Sequence, residues 1–231
     1  MHSDLKWSFV IAMAKQASAR RGGPRTFARE EAIQIAMRLF WRHGYEGVSI
    51  SDLTSAIGIA PPSLYAAFGS KAALYREALD RYSGLPGALT ALATAETLEG
   101  TVEQVLHRAV DAVTDPSGER GCMISTGMLQ CAGELAGLAS ELAGRRRRMR
   151  DQIAGALARW LDDAAASALA RHVIVVVQGL AIQARDGATR EDLEQVVGDA
   201  VAGLRMTTRG RGARRAGLPR IRRPADVRAG R

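Results

Sequence analysis

Apolar residues recur at helical spacing through the N-terminal third of the chain and predict four helices there. The first covers residues 29–43, and its apolar stripe consists of Ile33, Ala36, Met37 and Phe40. The second and third helices are short, at residues 51–57 and 61–68, and the fourth covers residues 71–82. The short loops between them predict a compact group of helices at this end of the chain.

The stretch from Ser49 to Lys71 carries the local signals of two helices joined by a tight turn. Ser49 can cap the first of them, with Asp52 completing a capping box. Gly58 stands where the chain must turn sharply, and glycine tolerates the positive φ that such a turn needs. Pro61 and Pro62 can open the next helix, because a first turn has no use for their missing N–H groups.

The second of these two helices is predicted to bury Leu64 and Phe68 and to present small and hydroxyl side chains outward. The outward residues are Ser63, Tyr65, Ala66 and Ala67. This pattern is typical of a helix-turn-helix whose second helix enters the major groove of DNA. Helix-glycine-helix corners also occur in all-α proteins that do not bind DNA, so spacing alone leaves that alternative open.

The block from Phe27 to about Tyr82 resembles the TetR family of transcriptional regulators. The resemblance rests on FAREEAIQIAMRLFWRHGYEGVS, SISDLTSAIGIAPPSLYAAFGSK and the following KAALYREALDRY. Ala28 and Ala60 depart from it, since relatives usually carry capping side chains there. The resemblance implies a homodimer that binds double-stranded DNA at a palindromic operator and responds to a small-molecule effector.

We expect two kinds of DNA contact from this block. Phosphates would be contacted by Ser49, Tyr65 and Lys71, and base edges by Ser51, Pro61, Pro62, Ser63 and Ala66. Because no Arg, Asn or Gln stands on the predicted outward face, base reading would rely on apolar contact and shape.

The remainder of the chain also reads as helical, which makes the fold class all-α: an N-terminal three-helix helix-turn-helix domain plus a larger C-terminal helical domain. The predicted helices cover residues 101–114, 121–133, 135–163, 168–185 and 189–204. The predicted organisation is a basic flexible arm (1–25), the helix-turn-helix domain (26–82), a ligand-binding and dimerisation domain (83–205) and a basic disordered tail (206–231).

The resemblance implies that the last two helices form a four-helix interface with a second copy of the chain. The segment HVIVVVQGLAIQA is apolar on most sides, and Val176 and Leu180 are assigned to the interface stripe. The alternative is that this helix is the central core of its own domain. Its length of apolar sequence falls short of a membrane span, so no membrane partner is expected.

The family's effector pocket lies between residues 100 and 180, and six residues are candidates to line it. His107 and Asp111 lie four apart on one helix face and suit a polar ligand group, or form an ordinary surface pair. The other candidates are Met123, Met128, Gln130 and Trp160, which suit a helical core equally well.

Composition and charge agree with a DNA-binding protein. The net charge is +8, and basic residues are in excess at both ends while acidic residues dominate the middle. A sequence-independent architectural DNA protein would show the same basic termini, so this second class stays open. The four histidines share no metal spacing and no nucleophile motif occurs, so we expect no enzyme, metal or cofactor.

The two cysteines, Cys122 and Cys131, would lie on opposite sides of one predicted helix and are expected not to pair. Free thiols suit a cytoplasmic location. Cys122 would stand at the start of that helix, whose dipole favours a thiolate, so a thiol-based redox-sensing regulator is a further alternative.

Overall fold

The computed structural model describes residues 29–85, 95–129 and 131–216, with side chains up to residue 206. The predicted basic arm, Ala28, Gln130 and the end of the predicted tail lie outside the described residues. Every α-helix or 3₁₀ turn in the described ranges follows this order: α1 (Arg29–His43), α2 (Ile50–Ile57), α3 (Pro61–Phe68), α4 (Lys71–Ser83), α5 (Leu98–Thr114), a 3₁₀ turn (Gly133–Leu135), α6 (Ala136–Leu157), α7 (Asp163–Asp186) and α8 (Arg190–Ala216). The all-α fold class is therefore confirmed.

The N-terminal helices form where local chemistry predicts them. Glu30 and Glu31 lie in the first turn of α1, where their charges favour the helix dipole. α1 packs chiefly on α4 and also on α2, and α3 lies against both α2 and α4. Trp41 and Phe40 are buried in this packing.

The larger helices enclose the rest of the core. α7 packs against α5, α6 and α8, and α5 also packs along α8. The buried side chains of both regions form one continuous cluster that runs from Ala32 in α1 to Val201 in α8. The four N-terminal helices thus share their core with the C-terminal helices.

Two helix predictions in the middle of the chain are wrong. Residues 121–129 form turns where a helix was predicted, and the predicted long helix 135–163 ends early, with turns at residues 158–161. α6 ends at Leu157, and Asp162 caps α7 by accepting a hydrogen bond from the Ala165 N–H at 2.8 Å. Asp162 was read as a helix-interior residue, but its short carboxylate is better suited to an N-cap.

The turns at residues 121–128, which we call the 121–128 loop, are held by contacts distant in sequence. Arg146 of α6 donates hydrogen bonds to the carbonyl oxygens of Ile124 and Gly127, both at 3.0 Å. Met128 has a φ of 52°, which a residue with a Cβ rarely adopts. The tertiary hydrogen bonds therefore override the helical propensity of this segment.

The last helix begins as predicted but ends later. Thr189 and Asp192 form the expected capping pair, with the Asp192 N–H donating to Thr189 Oγ1 at 3.2 Å. α8 then continues to Ala216, beyond the end at residue 204 that the sequence predicts. Arginine, the most frequent residue from 205 to 216, is a good helix former and favours the extension.

By length and composition, α7 is apolar enough to cross a membrane, contrary to the reading of its sequence. The structure accounts for this composition in another way. One side of α7 is buried inside the protein through Val173, Val177 and Leu180 among others, and the same helix carries Arg171 and His172 on its surface.

Candidate nucleic-acid interface

The turn between α2 and α3 has the geometry that its sequence predicts. Ser49 Oγ accepts a hydrogen bond from the Asp52 N–H, and Asp52 Oδ2 accepts one from the Ser49 N–H at 2.8 Å. Gly58 has a φ of 79° and its N–H donates to the Thr54 carbonyl at 2.9 Å. The capping box thus stabilises the start of α2, and the Gly58 turn ends α2 before α3 begins.

α3 buries one side and exposes the other, as the sequence indicates. Leu64 and Phe68 are buried, and Ala67 is half-buried. Tyr65 is 48% exposed. The remaining predicted base-contact residues are exposed as well: Ser51, Pro61, Pro62, Ser63 and Ala66. These positions on α2 and α3 are therefore accessible to solvent.

Ser49 has a structural role in addition to the predicted phosphate contact. Its hydroxyl donates a hydrogen bond to Asp52 Oδ2 at 2.7 Å, and its backbone N–H donates to the same oxygen. These hydrogen bonds lower the pKa of Asp52 and keep the carboxylate charged. A phosphate contact by Ser49 would require the hydroxyl to leave Asp52.

Lys71 lies at the first position of α4, beside the exposed surface of α3. Its Nζ is 4.2 Å from the centroid of the Tyr45 ring, a cation–π contact. Burial lowers the pKa of Lys71, and the carboxylates of Glu46 and Asp52 oppose that shift. The ammonium group is thus held in a defined place instead of moving freely in solvent.

The Tyr45 ring that Lys71 contacts belongs to an aromatic cluster. The rings of Phe40 and Tyr75 meet edge to face with centroids 4.9 Å apart, and Tyr45 packs on Tyr75 at 5.1 Å. Burial raises the pKa of Tyr75 to about 12. Tyr45 therefore packs as part of this aromatic cluster, and Trp41 packs edge to face on Tyr82 with centroids 4.8 Å apart.

One residue of this surface was missed by the sequence reading. Ser55 is exposed on α2, one helical turn after Ser51. The i, i+4 spacing of two serines on the polar side of α2 is the signal that identifies it.

The six effector candidates lie in different surroundings. His107 Nδ1 is 2.6 Å from Glu194 Oε2, and Asp111 pairs with Arg190, so both belong to a surface ion-pair network between α5 and α8. Met123 and Met128 are buried. Trp160 donates to Thr101 Oγ1 at 3.0 Å from a partly exposed position, and Gln130 lies outside the described residues.

Cys122 does not begin a helix, because residues 121–129 form turns. The thiol is buried and accepts a hydrogen bond from the Ser125 N–H at 3.4 Å. Burial raises the pKa of Tyr82, and its hydrogen bond with Cys122 adds to that shift. The helix dipole that motivated a redox-sensing thiol is thus missing at this residue. Among the described residues, no group of His, Cys, Asp and Glu is arranged to hold a metal ion.

Exposed apolar residues also lie on α7 and α8, and we call this set the apolar stripe. On α7 it consists of Val175, Gly179 and Ile182, with Val175 65% exposed and Ile182 41% exposed. On α8 it includes Val196 and Met206. The interface residues chosen from the sequence differ: Leu180 is 2% exposed and Val176 is half-buried against the core, so both face inward.

Comparison with known proteins connects the DNA-binding surface to a family. The sequence model of "Bacterial regulatory proteins, tetR family" matches residues 32–78, which includes α2, α3 and most of α1 and α4. The chain is similar to the HTH-type transcriptional repressor ComR of Escherichia coli, with 32% identity over 190 residues that cover 77% of this chain and 89% of ComR. It is also 38% identical over 118 residues to the HTH-type transcriptional repressor BdcR of the same organism, covering 50% of this chain and 60% of BdcR.

A solved structure extends the similarity to the whole fold. The TetR family transcriptional regulator CifR, as a cysteine mutant bound to 26-base-pair double-stranded operator DNA, superposes with a TM-score of 0.72 at 35% identity. The match covers 78% of this chain and 98% of that chain. The helix-turn-helix, the C-terminal helices and the sequence therefore agree: this chain belongs to the TetR family of transcriptional regulators.

Proposed function

We propose that this protein is a homodimeric, effector-responsive repressor that binds a palindromic operator, with α3 of each subunit in one major groove. The observation that carries the proposal is the division of α3 into a buried side and an exposed side of small and hydroxyl groups. Such a surface lets the helix backbone approach base edges closely.

Two further features support the DNA-binding part of the proposal. Lys71 holds a positive charge at the edge of the α3 surface, where a phosphate would lie when the helix enters the groove. ComR and BdcR are repressors, and CifR, which has a similar fold, has been solved in complex with operator DNA. DNA is therefore the expected macromolecular partner.

The apolar stripe supports the homodimer. Val175, Gly179 and Ile182 recur at i, i+4 and i+7, which places them on one side of α7. Among the described residues, no atom lies within 4 Å of a Cβ added at Gly179, so a second helix can approach closely there. Burying this stripe against a second copy would remove exposed Val, Ile and Met side chains from water.

We place the effector-binding site in the C-terminal helices. We assign the effector to the region of Met123 and Met128, because this segment is buried, apolar and irregular. It is also bonded to α6 through Arg146, which donates to the Ile124 carbonyl. We call the helix-turn-helix region of each subunit, α1 to α4, its DNA-binding head. A ligand that binds better to one arrangement of the two heads shifts the dimer toward that arrangement. We expect the protein to act in the cytoplasm, where its operator would be accessible.

We expect Lys71→Ala to weaken binding to all DNA sequences by a similar factor and to reduce the slope of log affinity against log salt by about 1. The reason is the loss of one cation next to a phosphate. Tyr65→Phe should weaken binding uniformly with little change of slope, because the hydroxyl is neutral. Fluorescence-anisotropy titrations across a salt series measure both effects.

Arg147→Ala, which removes an exposed cation from α6, is the matched control and should leave the slope unchanged. If Lys71→Ala has the same slope as the unmodified protein, Lys71 does not contact a phosphate.

A further inference from the structure

The end of α1 is held by an arginine from the far end of the chain. The guanidinium of Arg185, in the last turn of α7, donates hydrogen bonds to the carbonyl oxygens of Trp41 and Arg42. The last carbonyls of a helix lack partners within the helix, and they carry partial negative charge that favours a cation. Arg185 therefore caps the first helix of the DNA-binding domain.

The end of α7 is held in the same way by the loop that follows α5. Arg120 Nε donates to the Ala184 carbonyl at 2.8 Å, and the same guanidinium also donates to the Ala188 carbonyl. Each of the two helix ends is thus capped by an arginine of another element. We call this set of contacts the arginine brace and define it as Trp41, Arg42, Glu119, Arg120 and Arg185.

Three more hydrogen bonds join the same loop to α1. The side chain of Arg42 forms two hydrogen bonds with the Glu119 carboxylate, at 2.8 and 3.0 Å. Trp41 Nε1 donates to the carbonyl of Gly121 at 3.0 Å in a buried position. Paired bonds between a guanidinium and a carboxylate fix direction as well as distance.

The loop can occupy this place only because it carries glycine at two positions. Gly121 has a φ of 85°, and a Cβ added there would lie 2.9 Å from the carbonyl oxygen of Ala181 in α7. A Cβ added at Gly118 would lie 2.9 Å from the Trp41 ring. The loop is therefore packed tightly between α1 and α7, and small shifts of either helix are opposed by direct contact.

The position of Arg185 on α7 connects the brace to the apolar stripe. Ile182 of the stripe lies three residues before Arg185, about one helical turn away. One end of α7 therefore presents the stripe to a second copy and also holds the DNA-binding head. In a dimer paired through the stripe, the orientation of this turn determines where each α3 lies relative to its twofold mate.

We propose that Arg185 is a positioning residue that fixes each DNA-binding head to the dimerisation helix and so sets the half-site separation that the dimer accepts. This inference rests on the proposed function. Arginine suits the role because its planar fork reaches two carbonyls at once, which the single ammonium of lysine does not do in the same geometry.

The test uses the full-length protein and duplexes in which two half-sites, identified by selection from random DNA, are separated by spacers that differ by single base pairs. Each added base pair moves and rotates one half-site by about a tenth of a helical turn. The unmodified protein should lose about tenfold in affinity or more when the best spacer changes by one or two base pairs.

Arg185→Ala should lose about tenfold at the best spacer and flatten the profile, so that neighbouring spacers differ by less than about threefold. Its dimer, measured by sedimentation, and its affinity for random-sequence DNA should stay within about twofold of the unmodified protein. Arg185→Lys should give an intermediate profile. Arg148→Ala, which removes an exposed arginine from α6, is the control and should keep the original profile.

A folded Arg185→Ala dimer with the original spacer profile would overturn the inference. If circular dichroism shows that this variant is unfolded, Glu119→Gln provides the second test, because it weakens the bond to Arg42 without removing bulk. An unchanged profile for Glu119→Gln would then count against the brace. If the unmodified protein is itself a monomer or shows no spacer preference, the proposed function fails before any variant is measured.

Discussion

Replacing Val175 with Glu should convert the protein to a folded monomer and lower operator affinity by at least about 100-fold. Val175 is 65% exposed in the single chain, so the chain can place a glutamate there in water. In a dimer paired through the apolar stripe, the same carboxylate would be buried without an identified partner, at a cost of several kcal/mol per subunit. One head alone would then make only half of the operator contacts.

Sedimentation velocity and circular dichroism measure the two parts of this result. Gln152→Glu, at an exposed position of α6, adds the same charge and should leave the dimer intact. Leu180→Glu should behave differently and unfold the chain, because Leu180 is 2% exposed in the core. A folded Val175→Glu protein that remains a tight dimer would contradict the assignment of the stripe to the interface.

Replacing Ala66 with Glu should abolish operator binding at measurable concentrations while the fold and the dimer persist. Ala66 is exposed on α3, so the helix accommodates the longer side chain without repacking. In the major groove, however, the longer side chain would keep α3 from approaching the bases closely, and its carboxylate would lie near DNA phosphates. Like charges placed together at an interface cost several kcal/mol, which corresponds to at least about 100-fold in affinity.

Electrophoretic mobility shifts with the operator duplex, together with thermal melting of the protein, check this expectation. Ala158→Glu makes the same substitution at an exposed position beyond the end of α6 and should bind DNA normally. Retention of operator affinity by Ala66→Glu would mean that α3 does not enter the groove through this side.

The helix-turn-helix could be predicted from sequence because its signals are local. The bonds of Ser49 with Asp52, the positive φ of Gly58 and the opening prolines of α3 all lie within a few residues of the structure that they specify. The boundaries of these helices follow from such short-range contacts: α3 covers the predicted residues, and α2 begins one residue early, at Ile50. Ala67, which was predicted to face outward, is half-buried.

The 121–128 loop could not be predicted because its contacts come from elsewhere in the chain. Arg146, which donates to the loop carbonyls of Ile124 and Gly127, lies on a different element, and no local pattern marks these contacts. The Arg185 bond to α1 joins residues that are far apart in sequence, and no periodicity marks it. The pairing of His107 with Glu194 likewise depends on where α8 lies against α5.

The sequence also left undetermined which side of α7 faces the core. In the run from Val173 to Val177, every residue is apolar, so no polar position marks which side faces water. Packing against α5 and α6 buries Val173 and Val177 and leaves Val175 exposed. Only the tertiary arrangement distinguishes the core side from the apolar stripe.

The central claim, that this chain is a sequence-specific dimeric regulator, is tested most directly by selecting bound sequences from random double-stranded DNA with the full-length protein. The account predicts enrichment of a palindrome whose two half-sites are separated by about one helical turn or a multiple of it. Recovery of a single unpaired half-site would contradict the dimer, and recovery of DNA without any shared sequence would contradict specific recognition by α3.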